Sequence, residues 1–268
     1  MPSRSRIHAR LRQAAQLLSL TLLFSAASPA SAALYDEIQV YTDDINAPGA
    51  FGLELHVNTT LDGRSTPDYP GESTPAHGWR TNAEFSYGLP DNFEAGLYLP
   101  TVFDAEGRYD LAGVKFRLKW ITVHPEEDAA GWYFGANTEL ARLKKQYVPS
   151  EWGEELRLIG GYRTPEWLVG GNIVPSWPLS SGFRQAAPDM ELNFKASHKI
   201  VKGIDLGLEY YADLGPTSHL PSFNQQAHSL FLAIDVERKP FVFNLGIGRG
   251  LTSGADAWTL KAIIEVPF

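Results

Sequence analysis

The chain has 268 residues, no cysteine, and a formal net charge of −8 from 31 acidic and 23 basic side chains. Without cysteine there is no disulfide, no zinc–thiolate site and no thiol nucleophile. The acidic balance argues against nucleic acid as a partner, because phosphate binding needs a basic face.

Arg4, Arg6, Arg10 and Arg12 precede an apolar run over 17–24, and no acid appears before Asp36. Ala30, Ser31 and Ala32 then supply the small residues a signal peptidase requires, so 1–32 reads as a cleaved secretory signal peptide. The apolar run is too short to anchor the chain in a bilayer, and no later stretch reaches the roughly 20 apolar residues of a membrane helix. Losing four arginines takes the exported chain to a charge of about −12. Residues 33–50 follow as a periplasmic N-terminal segment, distinctive for its acidic stretch over 35–45. By default that stretch reads as a plain acidic tail; the alternatives are a contact peptide for a periplasmic partner, or a plug whose Asp36, Glu37, Asp43 and Asp44 meet the basic ladder of Lys115, Arg117 and Lys119.

From Phe51 onward the dominant signal is period-two alternation, which sends successive side chains to opposite faces of a strand. Twelve segments show it: 51–57, 79–89, 93–99, 114–120, 132–140, 154–162, 167–174, 190–198, 204–212, 228–236, 241–249 and 258–268. In the fourth, Val114, Phe116, Leu118 and Trp120 alternate with Lys115, Arg117 and Lys119, a pattern no buried helix tolerates. The connections alternate as well. Short turns at 90–92, 164–166, 201–203 and 238–240, with a longer one at 122–130, are interleaved with mostly longer links at 59–78, 142–152, 176–188 and 215–225. Two shorter links, 104–108 and 252–256, keep the same phase. Short turns on one rim and long loops on the other describe a barrel meander, here one all-β domain over 51–268.

Alternation alone does not separate a membrane barrel from a soluble one. Placement of the aromatics does. Tyr87, Phe93, Trp120, Trp132, Tyr162, Trp167 and Phe241 stand near the short turns. Trp79, Phe103, Tyr109, Trp152, Trp177, Tyr210 and Trp258 stand near the long links. Two girdles at two headgroup levels account for that, since an amphipathic ring favours the interface. Segments of roughly nine to eleven residues also match a tilted strand crossing hydrocarbon. Closure into a barrel removes the unpaired edges that a bilayer cannot solvate.

Read back from the terminus, Phe268, Val266, Ile264, Ala262, Leu260 and Trp258 share one face, and Glu265, Lys261 and Thr259 the other. This resembles the C-terminal signal of Gram-negative outer-membrane β-barrel proteins, an alternating last strand ending in Phe. Pro267 departs from the usual penultimate residue. The resemblance implies a closed antiparallel up-and-down transmembrane barrel of about twelve strands in the outer membrane. It implies the barrel-assembly machinery as a partner in biogenesis, with Phe268, Val266 and Ile264 as the assembly signal, and outer-membrane lipid as the surroundings.

The polar face then lines a lumen. Its candidate residues are Glu54, His56 and Glu84, the basic ladder Lys115, Arg117 and Lys119, and Glu139 and Arg157. Glu191, Lys195 and a second, acidic ladder of Asp205, Glu209 and Asp213 complete the set. Opposed ladders orient a small polar or ionic solute in a pore, or cross-brace a narrow barrel as salt bridges. The expected function is therefore a channel or transporter of the small porin-like kind. Alternatives are a non-conducting structural or sensing barrel and, less favoured, a lipase-type enzyme. For the enzyme, His198, His219 and the adjacent His228 and Ser229 are the candidates, and none stands in a nucleophile motif. No catalytic residue and no cofactor is expected. The seven histidines are scattered without ligand spacing, so no metal site is expected either; His56 beside Glu54 is a lone pair.

Overall fold

Alternating apolar and polar side chains become strands only when each face finds a matching medium, and the chain meets that condition by closing on itself. The structure, a computed structural model, describes residues 36–126 and 129–266. The signal-peptide expectation and Phe268 lie outside the described residues. The strands are β1 (Phe51–Asp62), β2 (Trp79–Leu89), β3 (Phe93–Phe103), β4 (Tyr109–Leu111), β5 (Gly113–Val123), β6 (Gly131–Leu143) and β7 (Trp152–Arg163). They continue as β8 (Trp167–Pro178), β9 (Asp189–Val201), β10 (Ile204–Pro216), β11 (Ala227–Arg238), β12 (Phe241–Gly250) and β13 (Trp258–Val266).

Short β4 and longer β5 both run antiparallel to β3. Ala112 between them donates its N–H to the Pro100 carbonyl at 2.8 Å, so the two form one stave. Twelve staves result, and all are antiparallel to their neighbours. β1 pairs with β13 from Leu53–Val266 to Asp62–Trp258, which closes the sheet.

The wall is turned inside out relative to a water-soluble barrel. On β5, Phe116, Leu118 and Trp120 are 57%, 44% and 44% exposed, while Arg117 and Lys119 between them are 5% and 7% exposed. Water selects the opposite arrangement. A hydrocarbon surrounding selects this one, because a charge on its lipid face costs roughly 2–4 kcal/mol at the midplane.

Several strands outrun the alternation in sequence. β1, β3, β6, β8 and β10 extend to Asp62, Phe103, Leu143, Pro178 and Pro216, each at the long-loop end. The barrel thus stands taller on that side, where backbone pairing persists after the apolar pattern has stopped. The short-turn rim is tight: Asp91 and Asn92 take left-handed φ values of 58° and 59°, which these two residue types tolerate. Rings pair along it, Phe93 stacking on Trp120 with centroids 5.4 Å apart and Trp132 meeting Tyr162 edge-on at 5.1 Å. On the opposite rim Phe103 lies 5.2 Å from Tyr109, and the Arg249 guanidinium sits 5.0 Å over Trp258.

Candidate functional site

Residues 36–46 do not hang free of the barrel; they run along its lumen. The chain enters beside the short turn at 90–92, where two main-chain bonds tie it to the rim: Gly49 N–H to Gly88 O at 2.8 Å and Gly88 N–H to Ala50 O at 2.9 Å. Glu94 of β3 accepts both the main-chain and the side-chain N–H of Asn46 at 2.8 Å. Deeper in, the segment forms no strand, and wall side chains bind its main chain. Asn172 on β8 accepts from Tyr41 N–H at 2.8 Å and donates to the Tyr41 carbonyl at 2.9 Å. Lys261 on β13 donates to the Ile38 carbonyl at 3.0 Å, and Asn58 on β1 to that of Asp36 at 3.0 Å.

Tyr41 is the centre of this arrangement. Its ring lies 4.6 Å from the Arg157 guanidinium and 5.6 Å from that of Arg117, close enough for cation–π attraction. Its hydroxyl contacts Tyr98 at 3.0 Å and Glu37 at 3.1 Å. Ile45 and the inward-pointing Ile121, Tyr133 and Ile159 pack around the same ring. Tyr133 itself fits because Gly161 and Gly170 face it, and a Cβ at either would strike its hydroxyl end. Among these, Tyr98, Ile121, Tyr133 and Ile159 were absent from the candidate set, although alternation alone puts them on the polar face beside Lys119 and Asn137.

The basic ladder is fully committed. Lys115 meets Asp36 at 2.8 Å and Glu37 at 3.1 Å. Arg117 bridges Glu84 at 2.6 Å and Glu94 at 2.5 Å, and Lys119 reaches Glu94 at 3.0 Å. Asp43, expected to look toward that ladder, instead pairs with Arg163 at the end of β7 at 2.5 Å, with Asp44 3.7 Å from the same group. In the acidic ladder Glu209 finds partners of its own. Glu209 pairs closely with Lys261 and lies 3.5 Å from Lys195, which also holds Asp235 at 2.8 Å. The two ladders therefore do not brace each other: the basic one is matched by Glu84, Glu94 and the inserted segment, and the acidic one through Glu209 by Lys195 and Lys261. Arg157 takes Glu155 at 2.8 Å. Among the described residues no basic nitrogen lies within 4.0 Å of the carboxylates of Glu139, Glu191, Asp205 or Asp213.

His56 is fully buried, its Nε2 3.3 Å from Glu84 and 3.8 Å from Glu54, and Gln39 donates to Glu54 at 3.3 Å. Glu37, His56 and Glu84 each bring one potential ligand atom within a 4.8 Å group. Both carboxylates already hold a cation there, Lys115 or Arg117. His228 places Nδ1 2.6 Å from the Tyr210 hydroxyl and Nε2 2.9 Å from Gln226, while Ser229 faces the lumen. Both ring nitrogens are thus engaged away from that serine. His198 packs edge-on to Trp167 at 4.3 Å.

No family model and no curated protein matches this sequence. Solved structures do. An outer membrane channel from Pseudomonas putida F1 superposes with a TM-score of 0.58 at 12% identity, covering 87% of this chain and 100% of that one. The NanC porin gives 0.52 at 10% identity, covering 81% and 98%, and the KdgM porin 0.50 at 11%, covering 82% and 99%. The fold is that of an outer-membrane β-barrel.

An outer-membrane barrel keeps its short turns on the periplasmic rim and its longer loops outside. In that frame the segment 36–46 enters from the periplasmic rim and points outward. Beyond its Asp36 end lies a cavity of ≈ 130 Å³ beneath the long loops, lined among others by Glu155, Arg157, Glu191, Tyr211, Asp213 and Phe231.

Proposed function

We propose that the protein is an outer-membrane channel for small polar or ionic solutes, exported by a cleaved signal peptide and narrowed by its own N-terminal segment. The observation that carries this reading is the composition of the inner wall. A sealed scaffold of this size could fill its centre with apolar side chains. Here the staves instead present Glu54, Asn82, Arg117, Asn137, Lys195 and Asn244 to the interior, groups that bind water and ions as readily as one another. What occupies the centre is a segment without strand pairing, held by side chains a hydrated solute could also engage. The fold shared with a channel and two porins supports the same direction.

The non-conducting reading has one observation in its favour: Tyr41 packs inside the barrel between Arg117 and Arg157. Planar-bilayer recording on the purified full chain decides between them. Discrete conductance steps in KCl are expected, small for a barrel of twelve staves. Silence at every voltage, from protein that shows heat-modifiable gel migration, would overturn the channel reading.

A further inference from the structure

His228 of β11 stands on the outward face of the wall in line with Leu230 and Leu232, which are exposed, yet it is itself buried. The loop between β10 and β11 covers it from outside the barrel. In a single 3₁₀ turn, Phe223–Gln225, the Phe223 ring stacks on His228 with centroids 4.4 Å apart. The loop between β12 and β13 holds this turn in place. Thr252 donates its hydroxyl to the Gln226 carbonyl at 2.6 Å, and Ser253 its own to the Asn224 carbonyl at 2.6 Å. Leu220, Phe223 and Leu251 are each left more than half exposed. A fixed loop that shows three large apolar side chains on the outside of a membrane barrel meets acyl chains there rather than water.

Arg249 of β12 projects from the same face, between Leu230 of β11 and Trp258 of β13. Its guanidinium lies over the Trp258 ring, and Nη1 donates to the Ala257 carbonyl at 3.1 Å. Among the described residues no carboxylate oxygen lies within 4.0 Å of it. Stacking leaves the edge of the guanidinium open, and that edge matches a phosphate with two parallel hydrogen bonds. A second outward arginine, Arg142, lies over Trp152 at 5.7 Å, but Glu154 is exposed on the same face of the adjoining stave and repels an anion.

We propose that the outward face at the loop end of β10–β13 binds a phosphorylated, multiply acylated glycolipid of the outer leaflet. Arg249 takes a phosphate, and Leu220, Phe223 and Leu251 lie against the acyl chains. The patch crosses four staves, about 15 Å at the ordinary interstrand spacing, a width that several chains cover and the two of a phospholipid do not. The long loops face outward in an outer-membrane barrel, which sets the leaflet. The site rests on that orientation and not on the channel reading.

Native mass spectrometry of the detergent-solubilised full chain with bis-phosphorylated lipid A tests this. It is run on the unaltered protein, on Arg249→Gln, Arg249→Lys and Leu220→Ser/Leu251→Ser, and on Arg238→Gln, an exposed arginine at the opposite end of β11. Saturable binding is expected, weakened about tenfold in Arg249→Gln and less in Arg249→Lys, which keeps the charge and loses the fork. The leucine variant should also bind more weakly, and Arg238→Gln as the unaltered protein does. All five positions are exposed, so heat-modifiable migration should persist. Equal binding by the unaltered protein and Arg249→Gln, or no saturable binding, overturns the site. Equally tight binding of dephosphorylated lipid A overturns the role of Arg249, and equally tight phosphatidylglycerol overturns the glycolipid assignment. Lipid binding without bilayer conductance sinks the channel reading alone; conductance without lipid binding sinks this site alone.

Discussion

Asn172 grips Tyr41 by the main chain, accepting from its N–H at 2.8 Å and donating to its carbonyl at 2.9 Å. One amide side chain thus satisfies both polar groups of a peptide that belongs to no strand. Replacing it by alanine leaves a buried donor and a buried acceptor unmet, each costing about 1–3 kcal/mol. In Asn172→Ala, amide hydrogen exchange over 36–46 should therefore accelerate strongly while the strands keep their protection. Unchanged exchange there would mean that the segment is held elsewhere.

Deleting residues 36–45 removes Tyr41 and the two carboxylates that neutralise Lys115. Single-channel conductance should rise several-fold, and Lys115 and Arg163, deprived of their carboxylates, should shift selectivity toward anions. Reversal potentials in a KCl gradient measure this. A deletion with native conductance would show that the segment does not set the bore.

Arg117 is 5% exposed and joins Glu84 to Glu94. Arg117→Gln leaves Glu84 with His56 alone and Glu94 with Lys119, and breaking a buried pair from one side typically costs about 3–5 kcal/mol. The temperature at which heat-modifiable migration is lost should fall markedly. Adding Glu84→Gln to that variant should recover part of the loss, since Glu84 then faces only His56.

In the loop after β1, Arg64 bonds Glu72 twice, at 2.7 and 2.8 Å, and Asp68 N–H adds a third bond at 2.5 Å. Burial opposes the charge on Glu72, yet Arg64 and the Asp68 N–H outweigh it and hold the carboxyl below its ordinary 4.5. A depressed carboxylate stabilises the folded loop fully above 4.5 and ceases to do so as pH falls through the lowered value. Protease cleavage within 63–78 should thus be pH-independent from neutrality to about 5 and increase only under stronger acid. Glu72→Gln should cleave readily at neutral pH.

Much of the wall was readable in advance because alternation and burial report the same thing in a barrel. Phe116, Leu118 and Trp120 point one way and Lys115, Arg117 and Lys119 the other in sequence and in space alike. Strand ends were less legible: backbone pairing over 141–143 or 213–216 needs no apolar side chain once the lipid is left behind. The short β4 was invisible for the same reason, being three residues that only the register with β3 makes a strand. The path of 36–46 had no periodic signature at all. Its acids hinted at basic partners, and Asp36 and Glu37 do meet Lys115, yet nothing local announces that Asn172 or Lys261 would bind its main chain. Such bonds join residues 131 and 223 positions apart. Tyr98, Tyr133 and Ile121 escaped notice because they are the apolar members of a face otherwise read by its charges.

The inserted segment leads into β1 through 47–50. A blocker of eleven residues so attached reaches at most about 35–40 Å when extended, so it cannot diffuse away from its own lumen. Its return is intramolecular, at an effective concentration in the millimolar range. Occupancy of the bore is then independent of how much protein the membrane holds. A solute that displaces the segment competes against a fixed local concentration, which sets a floor on the external level at which passage can begin.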